Sequence, residues 1–300
     1  MSNSNWRMRT ERGSFFIKLL NWGEAGPDWR ASYERRFQLE QAAIAGGVDA
    51  PRPILAPSGG CLAEIPDSAE LPLVVRAHHW VDGGGLSPGA ASPEDAAQIG
   101  RVLAKIHALQ LDEAADPEEV LPIYPLEDWI QREREFPELR GVVPLMKRLH
   151  ALVIAGRDLV GPTILCHRDI NNRNVLRAAD GRLFILDWEL AGPLDPRLDV
   201  GTAILVWSGA WEGEPDPRSA QALLRAYREA DGKFEAGDAR LFASWLDGVG
   251  GWLWLNWRKA GSGRTKADRM EARRELAYGV SRLPAVLASL DSWARALGSA

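Results

Sequence analysis

Between two apolar runs, residues 163–166 and 183–186, the chain carries His167-Arg168-Asp169-Ile170-Asn171-Asn172-Arg173-Asn174, and thirteen residues after Asn174 comes Asp187-Trp188-Glu189. Short apolar runs bounded by turn residues read as buried strands. The polar octapeptide is then a loop pinned at both ends: 163–166 leads in, Val175-Leu176 follows, Asp180-Gly181 turns, and 183–186 stops at Asp187. That frame restricts where Asp169, Asn174, Asp187 and Glu189 can go. An extended backbone past Leu186 would put Asp187 and Glu189 on one side, because strand side chains alternate. Carboxylate and amide oxygens are hard donors of the kind a hard divalent ion accepts. His167 reads as a residue that holds the loop, not one that moves protons.

Upstream, residues 6–10 alternate bulky and charged side chains, Glu11-Arg12-Gly13 is a turn, and 14–20 is a second strand containing Lys18. A helix opens at Asp28 and runs to about Ala45, with Tyr33, Phe37, Leu39 and Ile44 apolar, until Gly46-Gly47 stops it. An extended link, 48–55, precedes two more strands, 61–65 and 73–81. Asp82-Gly83-Gly84-Gly85 breaks the pattern. It divides the chain into residues 1–81, a small antiparallel sheet with one helix, and residues 82–300, larger and mainly helical. In the second part Ser92 caps a helix with Pro93 at its first position and Glu94 and Asp95 in its first turn. Ile99, Leu103, Ile106 and His107 form its stripe. Two helices in 127–156 should break near Pro137 and Pro144, and 219–230, 239–258 and 269–297 are long helical patterns. The expected fold class is α+β, two lobes joined at a glycine hinge.

Composition narrows the partners. A net charge of −5 and a pI near 5.7 argue against a nucleic-acid binder. Residues 1–80 hold nine basic and nine acidic side chains, so all of the net charge lies beyond them. An acidic second part attracts cationic small molecules, and also serves solubility. Cys61 and Cys166 are too few for a disulfide framework and read as buried thiols in a reducing cytoplasm. Residues 1–12 carry no apolar signal region, and no stretch reaches transmembrane length. The expectation is a cytoplasmic monomer or homodimer without membrane partners.

The loop fits the pattern H-R-D-x-x-x-x-N of kinase catalytic loops. The stretch from Leu165 to Asp199, LCHRDINNRNVL…FILDWELAGPLDPRLD, resembles the signature of the aminoglycoside phosphotransferase and choline kinase-like group of small-molecule kinases, which share the protein kinase fold. GRVLAKIH, 100–107, is similar to that group's helix after the hinge, and GVDAPRP, 47–53, to the link after its small-lobe helix. The resemblance implies transfer of the γ-phosphate of ATP or GTP to a hydroxyl of a small, cationic acceptor. An aminoglycoside or related basic antibiotic is preferred, with choline, homoserine or a sugar as alternatives, and a non-catalytic binding protein of the same fold as the rival. It implies that Asp169 aligns the hydroxyl, that Asn174, Asp187 and Glu189 hold Mg²⁺, and that Lys18 meets the α- and β-phosphates. Lys18 should pair with a glutamate of the following helix, Glu34 or Glu40, with Glu40 favoured. Residues 76–81 would form the inter-lobe connection at the nucleotide base, placing Arg76, His78 and Trp80 at the nucleotide. Asp199 would brace the loop.

Departures from the group's pattern are visible. Asn3-Ser4-Asn5-Trp6 resembles only the tail of a nucleotide-covering loop, with no strand ahead of it. Arg168 stands where many relatives have glycine, and Glu189 where others have aspartate. Ala191-Gly192-Pro193 follows the metal motif in place of A-P-E, which speaks against a protein kinase. Six of the thirteen tryptophans, Trp207, Trp211, Trp245, Trp252, Trp254 and Trp257, read as core residues at helical spacing in preference to an aromatic wall. Asp195, Glu212, Glu214, Asp216 and Asp247 are acids that could pair with ammonium groups.

Overall fold

A computed structural model describes residues 4–20, 28–65, 73–212, 215–235, 237–263 and 265–298. Asn3 and Glu214 lie outside them.

The first two strands, β1 (Ser4–Thr10) and β2 (Gly13–Leu20), form the expected hairpin, closing at Thr10 opposite Gly13. Along β2 the alternation buries Lys18 and Leu20. Helix α1 (Trp29–Ala45) follows and buries Phe37, Leu39, Glu40 and Ala43. The link contributes a short strand, β3 (Pro53–Ile54), before β4 (Ala63–Ile65) and β5 (Leu73–His79). All pairings are antiparallel, in the order β1-β2-β5-β3, with β4 also on β5. Lys18 on β2 lies opposite Arg76 on β5.

The glycines expected to be a hinge are hydrogen-bonded backbone. Gly84–Gly85 is strand β6, paired with Arg177 and Leu176. A Cβ on Gly83 would sit 2.7 Å from the Arg177 carbonyl oxygen, so only glycine lets the connection run that close to the strand leaving the polar loop.

Helix α2 (Pro93–His107) begins as expected, with the Ser92 hydroxyl accepting the Asp95 N–H at 3.1 Å. A short α3 (Pro117–Val120) leads to α4 (Leu126–Glu135) and α5 (Val142–Arg157). A single 3-10 turn, Pro137–Leu139, separates them. Pro144 does not break α5; it sits in the first turn, where its missing N–H has no partner to lose. Then come β7 (Ile164–Cys166), β8 (Val175–Arg177) and β9 (Leu183–Ile185). A fourth strand, β10 (Gly192–Leu194), pairs with β7 and was not read from the sequence.

Helix α6 (Pro196–Trp207) was missed as well. Eight of its residues are buried around its circumference, so it lacks a polar face and therefore the helical period. The remaining helices are α7 (Pro217–Glu229), α8 (Ala243–Ser262) and α9 (Lys266–Gly298). Helix α7 packs on α2 where Gly100 allows contact: a Cβ there would lie 2.2 Å from the Leu223 carbonyl oxygen. One apolar core runs from α1 and β9 through α6 to α9. The α+β division into a small sheet-and-helix part and a larger helical part is the one expected. Among the described residues no helix is long and apolar enough to cross a membrane.

Candidate active site

The polar loop is fixed from below. His167 is fully buried, its Nε2–H donates to the Leu186 carbonyl at 3.1 Å, and its Nδ1 accepts the Asp169 N–H at 3.3 Å. Its ring packs on Trp188 at 4.6 Å. Burial holds the imidazole below its usual range, so it is neutral and structural. The Trp207 indole N–H donates to the Ile170 carbonyl at 2.8 Å, tying α6 to the loop. Asp199, expected to brace the loop, instead meets His107 Nε2 at 3.1 Å, while Tyr227 meets Nδ1 at 2.9 Å.

Arg168 adopts φ +67, a left-handed conformation that a residue with a Cβ takes at a cost of about 1–2 kcal/mol. The Asp169 carboxylate receives the side-chain N–H groups of Asn171 and Asn174, both at 2.6 Å. Asn174 also donates to the Asp169 carbonyl at 3.0 Å. Its nitrogen is thereby spent, which leaves its amide oxygen as the atom that could hold a metal. Burial, incompletely offset by the Asn171 bond and reinforced by the charge of Asp187, pushes the Asp169 carboxyl up to about 6.

Asp187 and Glu189 converge, but not for the reason expected. Asp187 is left-handed (φ +58), and Trp188–Leu190 is a 3-10 turn, so the backbone is coiled there, not extended. Both carboxylates reach the Lys18 ammonium at 2.9 Å. Burial pushes the Glu189 carboxyl up, against the pull of Lys18. Two carboxylates that already share one cation, with an amide oxygen on the adjoining loop, make an all-oxygen set that suits Mg²⁺.

The expected pairing of Lys18 with Glu40 is not present. Glu40 accepts from Arg76 at 2.5 Å and meets His78 Nε2 at 2.9 Å. Burial opposes its charge, but the His78 hydrogen bond and the Arg76 guanidinium hold Glu40 below the usual carboxylate range. Arg76 and His78 therefore lie inside β5 with their side chains turned to α1, and not on a connection between lobes. The other candidate, Glu34, accepts from the Cys61 thiol at 3.6 Å. Trp80 lies just past β5; its N–H donates to the Ser14 carbonyl at 3.0 Å and its indole to Asp82 at 2.9 Å.

A cavity of about 920 Å³ opens beside Asp169 and Asn174. One wall is aromatic: Trp211 meets Trp245, Trp252 and Tyr278 edge-on at 5.6, 6.1 and 6.2 Å, and Tyr124 completes the lining. The tryptophans thus divide. Trp207 is core, three line the cavity, and Trp254 and Trp257 stack on each other at 6.4 Å away from it. Asp247 on α8 faces the same space, is 7% exposed, and its Oδ1 has no partner among the described residues. Burial pushes its carboxyl up to about 7, against the pull of Arg168 and Arg157. Glu212 lines the cavity while accepting the Tyr278 hydroxyl at 2.7 Å. Asp195 and Asp216 do not reach it; they cap α6 and α7. Arg36 and Tyr124 also line the cavity, and no sequence signal marked either.

The family model described as "Phosphotransferase enzyme family" matches residues 1–236. Among solved structures, a spectinomycin phosphotransferase in complex with ADP and spectinomycin shares 15% identity over 95% of this chain and 90% of its own, with a TM-score of 0.66. The choline kinase LicA from Streptococcus pneumoniae shares 15% over 92% and 89%, TM-score 0.60. An amicoumacin kinase in complex with AMP-PNP, Ca²⁺ and Ami shares 17% over 92% and 85%, TM-score 0.54. The common fold is protein kinase-like. With four-fifths of its length matched by the family model, the chain belongs to the phosphotransferase enzyme family.

Proposed function

We propose that this chain transfers the γ-phosphate of ATP or GTP to a hydroxyl of a small, amine-bearing acceptor, with basic antibiotics of the aminoglycoside kind as the preferred class. One observation carries the reading: Asp169 and Asn174 share a hydrogen bond on one loop, Lys18 holds Asp187 and Glu189 together, and a cavity large enough for a multi-ring molecule begins at Asp169.

Phosphoryl transfer asks a protein for alignment and charge neutralisation more than for covalent chemistry. Asp169, immobilised by two asparagine amides, accepts the hydrogen bond of the acceptor hydroxyl and receives its proton. Lys18 leaves its carboxylates for the nucleotide phosphates. Asn174, Asp187 and Glu189 would hold Mg²⁺, whose bound charge neutralises phosphate oxygens. The backbone after Trp80 takes the nucleotide base. On the acceptor side, Asp247 is a buried carboxylate whose Oδ1 has no partner among the described residues, beside ring faces that favour a cation. Two buried, unpaired thiols, Cys61 and Cys166, fit a reducing cytoplasm.

The test is a transfer screen. The protein is mixed with ATP or GTP, Mg²⁺ and a panel of basic antibiotics, amino alcohols, sugars and hydroxy amino acids, and products gaining one phosphate are sought by mass spectrometry. Transfer by the wild type and not by Asp169→Ala is expected. Absence of transfer across the panel, despite nucleotide-dependent thermal stabilisation, would favour a binding protein instead.

A further inference from the structure

Helix α1 brings a cation to the cleft where an anion was expected. Arg36 lies one turn before Glu40, and α1 packs against the turn Trp188–Leu190 that follows Asp187. The Arg36 guanidinium rests over the Tyr33 ring, 5.3 Å from its centroid, and lines the cavity together with Arg168, Asp169 and Asn174. Its neighbour Arg35 is neutralised by Glu113 at 3.2 Å. Among the described residues Arg36 forms no ion pair with a carboxylate, and the Arg168 guanidinium donates to the Val120 carbonyl at 3.3 Å. Burial holds Arg36 below its usual range, with attraction to Glu189 and repulsion from Arg168 as lesser influences. Two part-buried guanidiniums line one cavity, Arg36 attracted to Glu189 and Arg168 to Asp247 but neither ion-paired with it, and an anion that came between them would be held by both.

We propose that Arg36, backed by Arg168, is a catalytic residue that holds the phosphoryl group while it crosses from nucleotide to acceptor. The inference rests on the phosphotransferase reading of the site. Its place at the border between the Lys18 carboxylates and the acceptor cavity favours the moving group over either end. In the step, the acceptor oxygen forms its bond to phosphorus as the bond from phosphorus to the nucleoside diphosphate breaks, and the hydroxyl proton passes to Asp169. Arg36 keeps its own protons. Charge spread over three equatorial oxygens is what a planar, permanently charged fork of donors stabilises. The left-handed backbone of Arg168 gains a reason on the same account, since strain at a cleft is retained where a side chain is needed there.

The experiment compares wild type, Arg36→Gln, Arg36→Lys and, as a control on the exposed face of α1, Gln38→Ala. It measures kcat and KM for transfer to an acceptor found in the screen, and affinity for Mg·ADP with and without fluoroaluminate as a phosphoryl mimic. Arg36→Gln should lower kcat roughly 100- to 1,000-fold, with both KM values within about threefold, and should abolish the extra affinity that fluoroaluminate confers. Arg36→Lys should restore part of kcat, and Gln38→Ala should match wild type. Arg36→Gln with unchanged kcat, or with acceptor KM raised and kcat intact, overturns the proposal. A wild type without Asp169-dependent transfer sinks the underlying reading instead.

Discussion

Two sets of wholly or partly buried charges lie within this chain, and they respond to burial in opposite ways. Between α1 and β5, Glu40 and Arg76 are 1% and 3% exposed, bonded to each other, with His78 on the second carboxylate oxygen. There the partners outweigh burial: Glu40 is held low and Arg76 high, so each is driven further into its charged form. In the cleft the balance reverses. Asp169, Glu189 and Asp247 all move toward the neutral form, because burial is compensated only in part. A completed buried ion pair is costly to break, whereas an incompletely compensated one stores free energy that an incoming ligand releases. On the proposed function, the difference separates carboxylates of the architecture from those of the chemistry.

The sharpest way to break this contrast is Asp169→Ala. Turnover should fall at least about 1,000-fold, while the melting temperature holds or rises, since a poorly solvated carboxylate is removed. A thermal melt beside steady-state kinetics reads both, and a loss of stability would put Asp169 in the architectural set. Glu40→Ala should do the reverse. It strands Arg76 in the interior at a cost of roughly 3–5 kcal/mol, visible as a lower urea midpoint. A variant as stable as wild type would show that the α1–β5 pair is not structural.

Asp247→Asn tests the sign of the cleft set. The native state favours the protonated carboxyl up to about pH 7, whereas the unfolded chain ionises near its ordinary 3.8. The native state therefore binds the extra proton between those values, and its stability falls as pH rises through that window. The Asn variant does not share the loss. It should be more stable than wild type at pH 8, by up to about 4 kcal/mol, and equal at pH 4; melts across pH that stay parallel would contradict the assignment. The smallest effect concerns rate. If Asp169 must be ionised, kcat/KM should decline about tenfold per unit on the acid side of pH 6, and the decline should begin at higher pH when Asn171→Ala removes a hydrogen bond that favours the charged form.

Much of this was legible in the sequence wherever a local signal existed. The β1–β2 hairpin, the Ser92 cap and the strand–loop–strand frame around Asp169 follow from alternation, capping chemistry and turn residues, all of which act over a few positions. What failed depended on distant packing. Helix α6 has no polar face to betray it, because the molecule surrounds it. The pairing of Glu40 was misread because a carboxylate on α1 can turn toward β2 or β5, and only the sheet order decides. Asp187 and Glu189 met Lys18 as the motif required, through a left-handed residue and a 3-10 turn that alternation could not foresee. Arg36 carried no signal, since one arginine on a charged helix looks like any solvated side chain until the fold places it over the turn at Glu189.

In the resting chain one ammonium spans two carboxylates across the gap between β2 and the turn after β9. On the proposed function, a metal-loaded triphosphate arriving there would carry a counter-charge for each side of that bridge, so loading would be a swap of partners and not a net gain of them. Dissolved ions weaken the bridge that must open and the contacts that replace it to a similar degree. Nucleotide affinity in this protein should accordingly fall with ionic strength far less steeply than the formal charge of a triphosphate suggests.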